Sequence, residues 1–269
     1  MRFNLIILMA LLLVTPAKSQ TERPDLAFGH GEKLEFVVSY RAKLWPNTEV
    51  GDVVLTTSRE RDRFTIVGHG RSRSFFRWFF DLNDTYTTVM EVSTLLPITF
   101  SERTRQNKYH FNNDLKFDWS EIVVHSTWRN VNRHTEDRHK TMPITEHSVD
   151  VISLFYRLRN TDISTLRISV PMPLEMILKD TIRTVHYRFL GREELNVSGL
   201  GRFRTLKFSC TFATSDGENF VDGSEFFIWV SDDNNRIPLQ IESPIRVGSV
   251  RIRLKRHSGL RHPLDSKIK

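Results

Sequence analysis

The chain has 269 residues, of which 39% are hydrophobic and 26% are charged. This composition is typical of a folded globular protein with one sizeable core, and it excludes an intrinsically disordered chain. The formal net charge of +7 fits either a polyanionic partner or plain solubility, because net charge bears on solubility before it bears on partners.

The first 19 residues have the pattern of a secretory signal peptide. An early arginine, a short apolar run and small residues precede Gln20, so we expect cleavage between Ser19 and Gln20 and a mature domain of residues 20–269. Cleavage would lower the net charge from +7 to +5, since Arg2 and Lys18 leave with the peptide. A mature chain beginning with glutamine cannot carry the lipid of a bacterial lipoprotein. The sequence therefore predicts a soluble exported protein, with no nucleic-acid partner and no transmembrane segment after signal removal.

The one cysteine, Cys210, lies in the stretch TLKFSCTF, where apolar and polar residues alternate. A single cysteine excludes an intrachain disulfide in an oxidising compartment. A thiol on the apolar face of a strand is usually a small core residue rather than a nucleophile. We therefore predict that packing alone holds the core and that Cys210 is part of it.

The same period-two alternation recurs along most of the chain. The predicted inward-facing residues are Leu34, Phe36, Val38 and Tyr40; Phe64 and Ile66; Phe117, Trp119, Ile122 and Val124; Tyr187 and Phe189; and Val250, Ile252 and Leu254. Turn sequences such as NDT, SGLG and DDNN separate these runs. The pattern predicts an all-β, mainly antiparallel protein with one buried and one wet face.

One segment breaks the strand pattern. The stretch HSVDVISLFYRLRN has apolar residues at helical spacing, with Ser148 as the predicted N-cap and Asp150 in the first turn. This predicts one amphipathic helix, from Ser148 to Arg159, that lies on the sheet or fills the mouth of a curved one.

Two stretches share a spacing that predicts a repeated hairpin. Proline follows valine by eight residues both in 89–100 and in 230–241. We expect two hairpins whose return strands begin at Pro97 and Pro238, where a missing N–H matters least. On this interpretation the intervening residues 232–235, with sequence DDNN, are turn formers that bond the local backbone rather than catalytic carboxylates.

The order of several motifs resembles an exported bacterial family, catalogued as domain of unknown function 3108. The motifs are GEKLEFVVSY, VGHGRSRSFFRWFFDLNDTYTT, LLPITF, VISLFYRLR, YRFLGREEL, GRFRTLKF, WVSDDNNRIPLQIES and VGSVRIRL. The resemblance covers about Gly31 to Leu260, and it implies a Gram-negative cell-envelope protein with a single curved antiparallel sheet or half-barrel and one inserted helix. It implies no reaction. Such a bent sheet is also similar to periplasmic carriers that shield lipoprotein acyl chains, an analogy of fold alone.

Motifs of enzymes and metal sites do not occur in the sequence. It has no Gly-x-Ser-x-Gly elbow, no His-Glu-x-x-His and no cysteine pair for zinc. His134 and His139 are five residues apart, a spacing that neither a helix nor a strand converts into converging ligands. We therefore predict no metal, no cofactor and no catalytic residue, with a hydrolase kept as a minor alternative.

The candidate site centres on residues 74–80, SFFRWFF, which we call the aromatic block. Two interpretations remain open, because large aromatic side chains build cores as readily as pockets. As a pocket wall, the block would hold apolar matter, and neighbouring arginines would meet an anionic end. The candidate ligand-binding residues are Arg71, Arg73, Phe75, Phe76, Arg77, Trp78, Phe79, Phe80 and, from the helix, Phe155.

Two functions of different classes follow. The first is a non-enzymatic binding or carrier module for an amphiphilic, lipid-like or hydrophobic ligand. The second is an envelope interaction or structural protein that places basic strand faces on a polyanionic partner such as an anionic envelope component. A continuous apolar cavity would favour the first function, and a filled interior with a flat basic face would favour the second.

Overall fold

A computed structural model describes residues 26–42, 45–212, 225–245 and 248–269 of the chain, and the predicted signal peptide lies outside them. The described residues form one helix and 15 strands. The helix is α1 (Val151–Arg159). The strands are β1 (Lys33–Ala42), β2 (Trp45–Glu60), β3 (Arg63–Ser72), β4 (Asn83–Glu91), β5 (Pro97–Gln106), β6 (Tyr109–Asp118), β7 (Val123–Asn130), β8 (Arg138–Pro143), β9 (Ser148–Val149), β10 (Met172–Leu178), β11 (Thr181–Val197), β12 (Gly201–Phe212), β13 (Glu225–Ser231), β14 (Pro238–Pro244) and β15 (Ser249–Ser258).

All 15 strands belong to one sheet, in the order β8-β7-β6-β5-β4-β3-β2-β1-β15-β14-β13-β12-β11-β10-β9. Neighbours are antiparallel throughout, except that β9 runs parallel to β10. Strand β1 pairs with β2 on one side and with β15 on the other. The predicted all-β, mainly antiparallel fold is therefore confirmed.

The sheet is strongly curled, so that its two edges approach each other without pairing. Only residues 144–147 connect β8 on one edge to β9 on the other, and so short a connection spans no more than about 18 Å. Side chains cross the gap: Lys140 Nζ donates to the Asp180 carbonyl at 2.8 Å, and Ile177 packs against the cluster on β5–β8. The result is an open, barrel-like sheet with a concave interior.

Helix α1 lies inside this curl and contacts both arms of the sheet. Leu154 packs with the core of β10–β13, whereas Ile152 and Tyr156 pack with that of β3 and β4. The predicted inserted helix is confirmed, and it joins two hydrophobic clusters that the sheet alone would leave apart.

The start of the helix differs from the prediction. The N-cap is Asp150, whose Oδ1 accepts from the backbone N–H groups of Ile152 and Ser153 at 2.9 Å each. Ser148, the predicted N-cap, lies in β9, where its Oγ donates to Glu175 at 2.6 Å. A carboxylate at position 150 accepts both free N–H groups of the first turn, so the helix begins two residues later than predicted.

The alternation identified most of the core, with one clear exception. Leu34, Phe64, Ile66 and Leu254 are fully buried, as predicted. Ile122 is 50% exposed because it lies in the turn between β6 and β7 with φ of 55°. The prediction that Ile122 faces inward is wrong, since the strand alternation stops at Asp118 and resumes only at Val123.

Both segments of the proposed repeat are antiparallel hairpins. Residues 89–100 span β4 and β5, and residues 230–241 span β13 and β14. Pro97 and Pro238 are the first residues of their return strands. In the second hairpin Asp233 Oδ1 accepts from Ser231 Oγ and from the backbone N–H groups of Asn235 and Arg236, so the turn-former interpretation is confirmed for this carboxylate. The side chains of Asp232 and Asn235 have distant partners instead of the local backbone.

One end of the curled sheet, which we call the packed end, is filled by chain segments. Leu260 and Leu264 pack onto the cluster that contains Leu34, and His262 Nε2 lies 2.8 Å from the Leu26 carbonyl oxygen. Asn235 Nδ2 donates to the carbonyls of His262 and Pro263. Both terminal segments of the described chain thus cover the same end.

A buried ion pair lies at the packed end. Arg159 and Glu32 are 3% and 1% exposed, and two parallel hydrogen bonds of 2.7 Å join them. Arg159 also donates to the carbonyls of Ala27 and Asn235. Burial alone would lower the pKa of Arg159, but the carboxylate of Glu32 raises it above its ordinary value.

Candidate functional site

A cavity of about 420 Å³ opens at the opposite end, which we call the cavity end. Its lining is mostly apolar and comes from β1, β2, β3, the start of β4, β15 and the aromatic block. The lining residues are Val38, Tyr40, Val50, Gly51, Asp52, Val53, Gly70, Arg71, Ser72, Phe76, Phe79, Phe80, Leu82 and Val250. The volume lies in the range of small-molecule sites and is nearly three times that of an engineered cavity of about 150 Å³ that binds benzene.

Glycines help to create this space. A Cβ atom at Gly70 would lie 3.7 Å from Leu82 and 3.8 Å from Val53, in ordinary contact. A Cβ atom at Gly51 would lie 2.9 Å from the Arg71 carbonyl oxygen, too close for any side chain. Gly51 is therefore required for the approach of the backbones, whereas Gly70 leaves a volume that a side chain would fill.

Ser72 fixes the aromatic block at the rim of the cavity. This buried residue ends β3, and its Oγ donates to the Phe80 carbonyl at 2.7 Å and accepts from the Leu82 N–H at 3.0 Å. Residues 74–76 form one 3-10 turn, and the Phe80 N–H donates to the Phe76 carbonyl at 2.9 Å. These bonds close residues 73–81 into a compact loop.

The block is not part of the core. Phe75 and Trp78 are 70% and 72% exposed, and Phe79 and Phe80 are 56% and 46% exposed. The core interpretation is therefore wrong. The block has two sides instead: Phe76, Phe79 and Phe80 line the cavity, whereas Phe75 and Trp78 stand outside its lining.

The three candidate arginines have different surroundings. Arg73 makes two hydrogen bonds to Asp52, at 3.2 and 3.0 Å, and also pairs with Glu49; the bonds to Asp52 raise the pKa of its guanidinium further. Arg71 borders the cavity, but Gly70 and Ser72 take the inward positions of β3, so its side chain points to the other face. Arg77 is exposed and lies outside the lining. The structure does not bring these arginines together around the cavity.

Phe155 also lies apart from the cavity. It lines a separate void of about 20 Å³ between the end of α1 and strands β12–β14. A space of that size holds about one water molecule. The aromatic block and Phe155 therefore do not form one site.

Two carboxyl groups, the buried one of Asp84 and the half-buried one of Glu102, lie on strands next to the cavity. Asp84 follows the lining residue Leu82 by two positions, and its oxygens accept from the Arg105 N–H and from Gln106 Nε2. Glu102, on β5, accepts from Thr104 Oγ1 at 3.0 Å. Burial raises the pKa of both carboxyl groups. Both are held by strand neighbours, so their contacts serve the sheet.

His134 and His139, at which the sequence predicts no metal site, lie in the β7–β8 connection and in β8, respectively. His134 and His139 are both exposed, and His139 Nδ1 lies 3.0 Å from Thr127 Oγ1. Within the described ranges, no group of three or more His, Cys, Asp or Glu side chains is placed to hold a metal ion.

Comparison with known protein families identifies the family of this chain. Residues 35–255 match the family described as Protein of unknown function (DUF3108). The chain belongs to this family. The resemblance inferred from the motifs is thereby confirmed, and a search of curated proteins finds no match.

The fold of this DUF3108 protein is similar to that of a solved structure at low sequence identity. The β-barrel-like protein of the domain of unknown function DUF1849 from Brucella abortus has a TM-score of 0.60 and 9% identity, over 86% of this chain and 98% of that one. A hypothetical protein from Chlamydia trachomatis has a TM-score of 0.35 and 10% identity, over 89% of this chain and 92% of that one. The first likeness bears on the fold alone.

Sequence reasoning missed most of the cavity lining of the DUF3108 protein. Val38, Tyr40 and Val250 were predicted to face inward, as they do, but the cavity that they line was not predicted. A signal was present in VGHGRS, because glycine inside a strand often marks a place where side-chain volume is missing. The described residues include no helix that is long and apolar enough to cross a bilayer.

Proposed function

We propose that this protein is an exported, periplasmic binding or carrier module that holds a hydrophobic or amphiphilic ligand without catalysing a reaction. The observation that supports this proposal is the cavity of about 420 Å³, lined mostly by apolar side chains and open beside the aromatic block. A preformed apolar cavity of this volume is the usual form of a small-molecule site.

The lining favours the apolar part of such a ligand. Its polar members are few, and Ser72 already bonds the Phe80 carbonyl and the Leu82 N–H. Arg73 is neutralised by Asp52 and Glu49. An acyl chain or aromatic ring therefore fits inside, and a charged head group would remain at the mouth in water.

The alternative, a basic surface on a polyanionic partner, has weaker support. Arg251 pairs with Glu242 at 2.5 Å, Arg253 with Glu49 at 3.5 Å, and Arg256 with Glu35 at 2.7 Å. These outward-facing cations of β15 thus have carboxylate partners, which reduces the field that would attract a polyanion.

Titration with an apolar fluorophore tests the proposal. N-phenyl-1-naphthylamine should gain fluorescence when it binds. Dodecanol should displace this fluorophore, and so should dodecanoate at concentrations below the micellar concentration of dodecanoate. Gly70→Phe should weaken binding about tenfold, because the ring enters the cavity. Thr65→Phe, which adds the same ring to the outer face of β3, is the matched control.

Two results would contradict the proposal. One is that the unmodified protein binds neither the fluorophore nor dodecanol. The other is that Gly70→Phe binds as tightly as Thr65→Phe while both variants melt at the same temperature. For the export part, intact-mass measurement of periplasmic protein should give a chain that begins at Gln20; retention of residues 1–19 would overturn it.

A further inference from the structure

Exposed apolar side chains are concentrated at the cavity end. Because neighbouring strands are antiparallel, the connections β3–β4, β5–β6, β7–β8 and β10–β11 all lie at that end. Among the described residues, these connections and the strand ends beside them carry most of the large hydrophobic side chains that are exposed: Phe75, Trp78, Phe79, Phe80, Tyr109, Val131 and Leu178. Three others, Ile122, Ile168 and Val170, lie elsewhere. An apolar rim at one end of a molecule marks a contact surface.

We infer that the aromatic block docks on an anionic lipid bilayer, with Phe75 and Trp78 inserted at the level of the head groups. This inference concerns the outer side of the block, which does not line the cavity. Docking itself is independent of the proposed function. A direct passage of ligand from the bilayer into the cavity does rest on it.

The chemistry of the block favours a bilayer over a protein partner. Phe75 and Trp78 project from a short loop, at 70% and 72% exposure, rather than forming a flat face. Tryptophan and phenylalanine beside basic residues are typical of segments that lie in the membrane interface.

Charge complementarity points to anionic lipid. Arg77 stands between Phe76 and Trp78 and is exposed. Within the described residues no ion pair joins Arg77 to a carboxylate, in contrast to Arg73. Lys108, in the next connection at the same end, is exposed as well. Cations at the depth of the head groups attract anionic lipid.

The apolar surface is continuous from the rim to the cavity. Phe79 and Phe80 are exposed at the rim and also line the cavity, and the rings of Phe75 and Phe76 meet edge to face at 5.3 Å. An apolar ligand that leaves the bilayer beside Trp78 would therefore reach the cavity along aromatic side chains.

Vesicle flotation tests the docking. The full mature chain should float with vesicles of phosphatidylethanolamine and phosphatidylglycerol, and more weakly with vesicles of phosphatidylcholine alone. A double variant, Phe75→Ser with Trp78→Ser, should lower the partition coefficient at least about tenfold. Arg77→Gln should lower the partition coefficient for the anionic vesicles only. Added salt should reduce this same electrostatic part of the binding. Ile168→Ser removes a side chain that is 65% exposed away from the rim, and it is the matched control.

The outcomes separate docking from ligand binding. The double variant should still bind the naphthylamine fluorophore, and Gly70→Phe should still float with vesicles. Brominated lipids should quench part of the tryptophan fluorescence of the unmodified protein, and this part should be missing in Trp78→Phe. The inference is overturned if the unmodified protein does not float with anionic vesicles, or if the double variant floats as well as Ile168→Ser.

Discussion

At the scale of residues, the buried pair of Arg159 and Glu32 ties three segments together. Arg159 ends the helix, Glu32 precedes β1, and Asn235, which accepts from Arg159, belongs to the β13–β14 turn. The guanidinium also lies over the rings of Phe28 and Tyr156, at 5.5 and 5.2 Å from their centroids. Every partner is present, which is the condition under which a buried charge pair is tolerated.

Glu32→Ala should therefore be strongly destabilising. It leaves the guanidinium of Arg159 buried without a counter-charge, and we expect the free energy of unfolding to fall by about 3–5 kcal/mol. Urea denaturation measures it. Asp114→Ala is the control, because it removes the partner of Arg103 in a solvent-exposed pair and should change stability by less than about 1 kcal/mol. Similar losses in the two variants would contradict this account of the buried pair.

The thiol of Cys210 should be inert in the folded protein. Cys210 is 1% exposed in the core of β10–β13, and burial raises the pKa of its thiol to about 12. Ellman's reagent at about pH 8 should not react with the native protein, because the thiolate is the reactive species. One equivalent should react after unfolding in urea. Rapid reaction of the native protein would show that the strand opens or that the thiol is exposed.

At the scale of elements, Asp150 determines where the helix begins. It is fully buried and accepts from Thr88 Oγ1 at 2.7 Å in addition to the helix N–H groups. The cap thus also attaches the helix to β4.

Asp150→Ala should destabilise the protein by about 2–4 kcal/mol, because it removes a cap and leaves the Thr88 hydroxyl without its acceptor. Asp162→Ala removes the cap of a short surface 3-10 turn, and the expected loss there is under about 1 kcal/mol. Thermal and urea denaturation of both variants compare the two caps. An equal loss would show that the contact to β4 contributes nothing.

His257 should make stability depend on pH. It lies on β15 at the packed end, where burial lowers its pKa below the ordinary 6.5 and Lys267 lowers it further, against an opposing effect of Asp233. As the pH falls below about 6.5, the unfolded chain takes up a proton before the folded protein does, so the free energy of unfolding decreases. His257→Gln should remove this part of the decline, and Lys267→Gln should reduce it. A pH profile that is the same in all three proteins would contradict the assignment.

The sequence predicted elements better than it predicted the site. Alternation identified strands such as β3 and β12 because one face of each is buried, and period two records that directly. The alternation does not indicate the cavity, because the cavity results from the curl of the sheet and from side-chain volume missing at Gly70. Exposure of the aromatic block was equally hidden, since the same residues build cores.

The buried ion pair also could not be predicted from the sequence. Glu32 and Arg159 are separated by 127 positions, and nothing local in GEKLEF marks a buried carboxylate. A partial signal existed at the other partner, because Arg159 follows Ile152 by seven residues on the apolar side of the helix.

At the scale of the whole molecule, the described segments should unfold as one unit. Helix α1 packs against both arms of the sheet, and β1 and β15 join these arms through a continuous ladder. Removing either arm would expose the apolar face of the other. Tryptophan fluorescence and far-UV circular dichroism should therefore report the same midpoint in urea. Two separate transitions would indicate that the arms are independent domains.

The pairing of β1 with β15 also affects how such a chain is completed. Lys33 lies opposite Ser258, so β1 can complete its pairing on this side only after β15 has been synthesised. The N-terminus of a chain emerges first, both at a ribosome and on the far side of a membrane. One hydrogen-bonding edge of β1 is therefore exposed to solvent until residues 249–258 have followed. Unpaired edges invite association with other chains, and a long-range pairing of this kind forms slowly. A premature stop before Ser249 would make that temporary edge permanent.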